Sequence, residues 1–374
     1  MSFELSTLFA LGIGYLAILF GIAFITEKGW IPERVVRHPI VYVLSLGVFA
    51  SVWSYYASTG NAFRDGFGYL APFIGISLAF LLSPLILRPI LNLTKTYQLS
   101  SLADLLAFRY RSPWAGTLTT LIMLIGVMPL LALQIQAVAN TVGLLSPDAT
   151  QTTLALTFCL LITLFAIFFG TGKGSGRERH DGLVMTIAFE SLVKLLAVLL
   201  VGWFAVHEGF GGFAAMEEWL QDQPELLRRL KEPAPPGTFQ VQMLIFFTAA
   251  VATPHMFYIT FHENNHPRAL NVASWGLPLY FLLLSLPVLP ILWAGLNSGS
   301  LTPMEYYPVT LGIDYDTPLM TLIGFLGGLS AASGLIIVIT LALSTMCLNH
   351  LILPIWQPRA NQDIYRWLLW KRRA

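Results

Sequence analysis

Hydrophobic and polar positions fall into long alternating blocks along this chain. Apolar stretches of about 20 residues, the length that crosses a bilayer core, recur from STLFALGIGYLAILFGIAFIT near the N-terminus onward. The pattern predicts nine helices, at 5–26, 39–60, 70–91, 113–143, 151–171, 181–206, 239–261, 275–297 and 318–350. Backbone groups in lipid have no water to bond, so apolar runs this long must satisfy themselves as helix. Several exceed the minimum, which implies tilt or extension beyond the bilayer. Polar blocks separate them, such as EKGWIPERVVRH and NLTKTYQLSSLADLLAFRYRS. The longest, 207–238, predicts an amphipathic surface helix over FAAMEEWLQDQPELLRRL, stopped by EPAPPG.

Composition sharpens this picture. Of 374 residues, 56% are hydrophobic and only 11% charged, against roughly 25% charged in soluble domains. Such a chain cannot cover a water-facing surface and reads as a polytopic membrane protein. A net charge of +1 leaves no electrostatic footprint for nucleic acid. The first run lacks a basic flank and a clear small-residue cleavage site, so it reads as a span and not as a removable signal peptide. Lysine and arginine set the orientation. With the N-terminus outside, sixteen of the 21 fall on inner segments, among them Arg34, Arg37, Arg109, Arg111 and the tail cluster Lys371, Arg372 and Arg373. Outer segments hold only Arg64, Arg228, Arg229 and Lys231, and Lys194 is left within a span. Positive charge favours cytoplasmic loops, which predicts N-out and C-in.

Little else suggests chemistry. Cys159 and Cys347 sit in separate apolar runs and read as core thiols without disulfide or metal spacing. GTGKGSG lacks the spacing of a phosphate-binding loop, and no nucleophile elbow, zinc motif or paired carboxylates accompany it. The chain therefore reads as a non-enzyme without a cofactor. RERH (177–180) reads as a cytoplasmic anchor.

Polar residues at membrane depth mark four places. In ASVWSYYASTG (50–60), Ser51, Ser54 and Ser58 share one face, while Tyr55, Tyr56 and Thr59 lie elsewhere around the helix. That distribution predicts a discontinuous helix whose freed carbonyls face a cation or substrate; the plainer reading is close packing of small residues. In ATPHMFYITFHENN (252–265), Pro254 removes a backbone donor and His255 follows at depth, as a satisfied interior group or a ligand or proton carrier. His262 and Glu263 read as solvated. In AFESLVKLL, Glu190 and Lys194 lie four apart on one face and predict a buried ion pair, with a proton relay as the alternative. In GGLSAASG (327–334), Ser330 and Ser333 form either a packing seam or hydroxyl ligands for a cation.

Taken with SLADLLAFRYRS (101–112) and RERHDGLVMTIAFESLVKLLA (177–197), these stretches resemble the sodium:solute symporter family over essentially the whole chain. More closely, they resemble the transporter-like input region of CbrA-type bacterial sensor histidine kinases. The resemblance implies an all-α LeuT-like membrane fold: an extra N-terminal helix with its loop (1–38), a first five-helix repeat (39–206) and an extracytoplasmic loop (207–238). The start of an inverted second repeat (239–355, three helices) and a basic tail (356–374) follow, leaving the second repeat incomplete. It implies location in a bacterial inner membrane and a broken first helix in each repeat.

By the same resemblance, a cation would bind between the main-chain carbonyls of Ala50 and Trp53 and the hydroxyls of Ser330 and Ser333, with Ser344 and Thr345 as the other register. Substrate would sit against Ser54, Tyr55, Tyr56, His255 and Tyr258. Val52 stands where many sodium-coupled relatives carry Asp or Asn, so sodium and proton are both open as the coupling ion. The implied function is ion-coupled transport of a small polar solute, an amino acid such as histidine. The alternative is a ligand-sensing input domain for a histidine kinase acting in cis. With the repeat incomplete, the chain by itself is expected to bind substrate poorly and not to transport.

Overall fold

In the computed structural model the described residues are 3–147, 151–170, 180–232, 237–264 and 267–355. GTGKGSG beyond Gly170, the arginines of RERH, most of EPAPPG and the tail 356–374 lie outside them. Helix α1 (Leu5–Glu27) is followed by α2 (Pro39–Leu46), which starts on a proline and whose His38 ring accepts from Ile40 N. A 3₁₀ turn, Gly47–Phe49, extends α2. The backbone then leaves helical geometry at Ala50 (ψ 86°) and Ser51 (ψ −154°). It re-enters helix as α3 (Val52–Tyr55) and α4 (Ala57–Asp65). Next come α5 (Ala71–Leu81), α6 (Leu87–Tyr97), α7 (Leu102–Tyr110), α8 (Pro113–Leu145) and α9 (Gln151–Gly170). The long α10 (Asp181–Phe210) leads to two short helices, α11 (Phe213–Gln221) and α12 (Pro224–Lys231).

The second interruption follows α13 (Thr238–Ala252). Thr253 is extended (φ −92°, ψ 140°) before α14 (Pro254–Phe257) and a π-helical turn, Tyr258–His262. The two parts are bent by 50°. The cause is local, because the proline ring disfavours helical geometry at the preceding residue. Helices α15 (Pro267–Ser285), α16 (Val288–Asn297), α17 (Tyr307–Asp314) and α18 (Pro318–Cys347) complete the described fold.

The nine predicted spans do not appear as nine continuous helices. Among the described residues five helices are long and apolar enough to cross a membrane, and the bent pair 238–262, taken as one span, makes a sixth. The stretch 39–60 is divided at Ala50 and Ser51, leaving the short apolar helix Pro39–Phe49. Turns between Leu81 and Leu87 divide 70–91. Hydropathy reports side chains and does not register where the backbone departs from helix. The molecule is nonetheless a multi-pass membrane protein, with bare rows of apolar side chains such as Leu118, Ile122 and Ile125 on the outside of α8. Two smaller expectations change. Cys159 is exposed on the outer surface of α9 and only Cys347 is partly covered. The amphipathic outer stretch is two helices, because Pro224 starts a new one.

Helices α10 and α18 pack against each other at the centre and are the most extensively buried. Helix α2 lies against α10 and α15, and α13 lies along α5. The last contact is very close: a Cβ at Gly75 would lie 2.3 Å from the Met243 carbonyl oxygen. Gly75→Ala should therefore force α5 and α13 apart and cost about 1–3 kcal/mol. Gly126→Ala, with nothing within 4 Å of the added carbon, should leave stability unchanged or slightly raised. Thermal unfolding of the two purified variants in detergent, followed by tryptophan fluorescence, checks both.

Candidate functional site

The two interruptions meet. Phe49, the last residue before the first break, stacks on His255, just past the second, with ring centroids 5.9 Å apart at 23°. Around them lies a cluster of aromatic rings. Phe49 also contacts Trp53, Phe246 and Phe281 at 5.8, 5.8 and 6.1 Å, and Trp53 contacts Phe246 at 4.8 Å and Phe73 at 5.2 Å. Trp53 Nε1 donates to the Phe49 carbonyl at 2.7 Å, covering one oxygen freed by the break. Two polar atoms beside the breaks, His255 Nδ1 and Ser51 Oγ, are buried without a hydrogen-bond partner among the described residues. A buried polar atom without a partner costs on the order of 1–3 kcal/mol, so both are poised for a group absent from the chain itself. Sequence reading singled out Trp53 and His255 but missed Phe49, Phe73, Phe246 and Phe281. In sequence these four look like ordinary span residues.

The expected substrate contacts do not gather at one point. Ser54 Oγ donates to the Ser51 carbonyl (2.9 Å) and Tyr55 OH to Gly324 O on α18 (3.0 Å). Thr141 Oγ1 on α8 donates to Tyr56 OH at 3.2 Å. Tyr258 OH lies 3.1 Å from His180 Nδ1, towards the opposite end of the break. Only His255 of this set stays at the meeting point of the interruptions with a nitrogen to spare. Tyr55 at the end of α3 and Tyr56 just after it serve as anchors: their hydroxyls nest where a Cβ on Gly327 or Gly328 would stand.

Every oxygen expected to bind a cation is engaged. Ala50 O accepts from Lys194 Nζ at 2.6 Å, and Trp53 O accepts from Ser58 Oγ at 3.2 Å. Ser330 Oγ donates to the Glu190 main-chain oxygen at 2.6 Å, and Ser333 Oγ donates to Glu190 Oε1. Ser344 and Thr345 bond to Leu341 O in their own helix and take no part. Glu190 and Lys194 share a face of α10 as expected, but they form no direct salt bridge. Each charge is held by a different helix, the ammonium by the break in α2–α3 and the carboxylate by α18. Their spacing gives a common face, and the tertiary partners decide what they touch. The donor set therefore does not fit a free metal cation as it stands: the Ala50 carbonyl already faces an ammonium.

A comparison of solved structures places this architecture. The chain superposes on a Na⁺-coupled sialic acid symporter, in a substrate-bound outward-open state, with a TM-score of 0.70. The match covers 98% of this chain and 78% of that one at 13% identity. The two chains share a fold. Among curated proteins, an uncharacterized symporter, YhjB of Bacillus subtilis (strain 168), is 22% identical over 246 residues. That match covers 65% of this chain, and the chain spans about half (48%) of the relative's length. No family model matches the sequence.

Two histidine–carboxylate contacts join elements of this fold next to the bent helix and beside α18. Glu263, just past the π-helical turn, is buried, with His180 Nδ1 3.0 Å from its Oε1 and His180 N donating to Oε2 at 3.2 Å. This corrects the reading of Glu263 as solvated. Burial alone would raise the Glu263 carboxyl, but the His180 hydrogen bond and charge, with His262 and Tyr258, pull it down to about 2. The second contact joins His350 Nε2 to Asp104 Oδ1 at 2.7 Å. Burial acts upward on Asp104 too, yet hydrogen bonds from His350 and Ser100 hold its carboxyl below the usual range.

The Glu263 contact makes stability depend on pH with a defined sign. A depressed carboxyl stabilises the fold fully above its ordinary value of about 4.3. That contribution is lost as pH falls towards about 2. Glu263→Gln should lower stability at pH 7 by on the order of 3 kcal/mol and flatten the acid limb of the profile. Melting temperatures of both proteins between neutral and strongly acidic pH measure it.

Proposed function

We propose that this protein is an ion-coupled secondary transporter of a small polar solute, which binds where the two helix interruptions meet. The observation that carries the reading is the stacked Phe49–His255 pair, which brings two mid-span breaks together beside unpartnered polar atoms. Irregular backbone at membrane depth is tolerated only where protein or a water-filled cavity satisfies it, and paired broken helices are how carriers build midplane sites. The symporter fold and the symporter relative support the same reading. The sensor alternative rests on the sequence resemblance alone.

In this reading 39–206 forms the first repeat and 239–355 opens the second, with a break in the first helix of each. The charge bias puts both histidine–carboxylate contacts on the cytoplasmic side. The solute class is an amino acid, histidine being one that suits the walls. Phe49, Trp53 and Phe246 offer flat apolar surface, while His255 Nδ1 and Ser51 Oγ offer polar contacts for one end of the molecule. Binding drives a change of access only as far as solute and ion prefer one conformation over the other.

Uptake of radiolabelled amino acids tests this in vesicles reconstituted with the protein as its gene encodes it, residues 1–374 taken by themselves being expected not to transport. Gradient-dependent accumulation of at least one is expected, with His255→Ala and Phe49→Ala each lowering kcat/KM by about tenfold or more, the loss of one or two good contacts. Accumulation that is absent for every solute, or unaltered in both variants, removes the reading.

A further inference from the structure

The most unusual group in the interior is Lys194. It is 2% exposed on a membrane-spanning helix, and its ammonium points into the first break instead of towards either surface. We propose that Lys194 Nζ is the resident cation of the site formed by Ala50, Ser330 and Ser333, a tethered ammonium standing where a sodium ion would otherwise bind. The proposal takes the role of this position from the symporter reading, whereas the occupancy is argued from geometry.

Three observations carry it. First, the contact is short and charge-assisted: Nζ donates to Ala50 O at 2.6 Å, in the range of strong ionic hydrogen bonds. The accepting carbonyl closes the helical segment Pro39–Phe49, the end at which the helix dipole concentrates negative charge and favours a cation. Second, the local charge is balanced without any added ion. Glu190 is buried, with Oε1 held by Ser333 and Oε2 without a hydrogen-bond partner. Lys194 supplies the one positive charge opposite it. A metal cation placed among the same oxygens would leave the interior with an unpaired positive charge, which is costly in a medium of low polarity. Third, the chain adds no further anion there. Val52 contributes only its amide, which donates to Gln134 Oε1 at 3.3 Å. Both serine hydroxyls spend their protons on Glu190, Ser333 on the carboxylate that balances the ammonium and Ser330 on the main-chain oxygen beside it.

The test is the response of thermal stability to sodium, with choline as the replacement cation, for wild type, Ser333→Ala, Lys194→Ala and the double variant. The wild-type melting temperature should be the same in both salts. Lys194→Ala leaves the Glu190 carboxylate and the Ala50 carbonyl facing a space of ammonium size, so it should melt lower. It should then gain a saturable rise of about 3–5 °C with sodium or with methylammonium, and adding Ser333→Ala should abolish that gain. A saturable sodium rise in wild type that Ser333→Ala removes overturns the proposal, and this arm does not depend on the Lys194 variant folding. A folded Lys194→Ala that responds to neither cation overturns it as well. Uptake plays no part in these readouts. A failure of the transport reading appears in the vesicles, and a failure of this one appears in the melting curves.

Discussion

A carbonyl released inside a membrane must find a hydrogen-bond donor, and the arrangement of this molecule follows from how that demand is met. The chain leaves helix at Ala50 and Ser51, and the freed oxygen is taken by the ammonium of Lys194. A hydrogen bond to a charged group contributes about 1.5–3 kcal/mol, whereas a buried charge deprived of its partner costs more than that. The lysine therefore fixes α10 against the break. The carboxylate that balances it is bound in turn by Ser333, which fixes α10 against α18. The two most buried helices are thus held to the first break through a pair of opposite charges that never meet directly.

The seam between the breaks is covered on both sides. At one end, His180 and Glu263 join the start of α10 to the end of the bent helix, and Lys95 Nζ on α6 donates to Asn264 Oδ1. At the other, α12 packs on α4. Gly66 has φ 54° and passes so close to α12 that a Cβ would lie 2.5 Å from Leu230 O. The Arg229 guanidinium sits over Phe63, and Arg64 pairs with Glu305 at 2.9 Å. Exposed ion pairs of that last kind contribute little by themselves. Here they follow the contact between backbones that the glycine makes possible.

Much of this was legible in the sequence, and the remainder was hidden for identifiable reasons. Polar residues scattered around the helix at 50–60 announce a break because one stripe would have sufficed for packing. Pro254 announces the second through its effect on Thr253. The four-residue spacing of Glu190 and Lys194 places them on one face, but it does not reveal that α2 and α18 each claim one of them. Glu263 looked solvated because polar residues at the end of a span usually are, and its partner His180 lies 83 positions away. The aromatic cluster was invisible for the opposite reason: phenylalanine in an apolar run gives no sign of which neighbours it meets.

The glycines of α18 have a mechanical consequence. Tyr55 and Tyr56 insert their hydroxyls into the hollows at Gly327 and Gly328, and Tyr55 is bonded to Gly324 O. The short segment beyond the first break, α3 with the Tyr56 that follows it, is therefore keyed to α18 like a tooth in a rack. Large relative displacement between those two parts is blocked, so they travel as one unit. The bent helix is built differently, its parts α13 and α14 joined through the single extended residue Thr253.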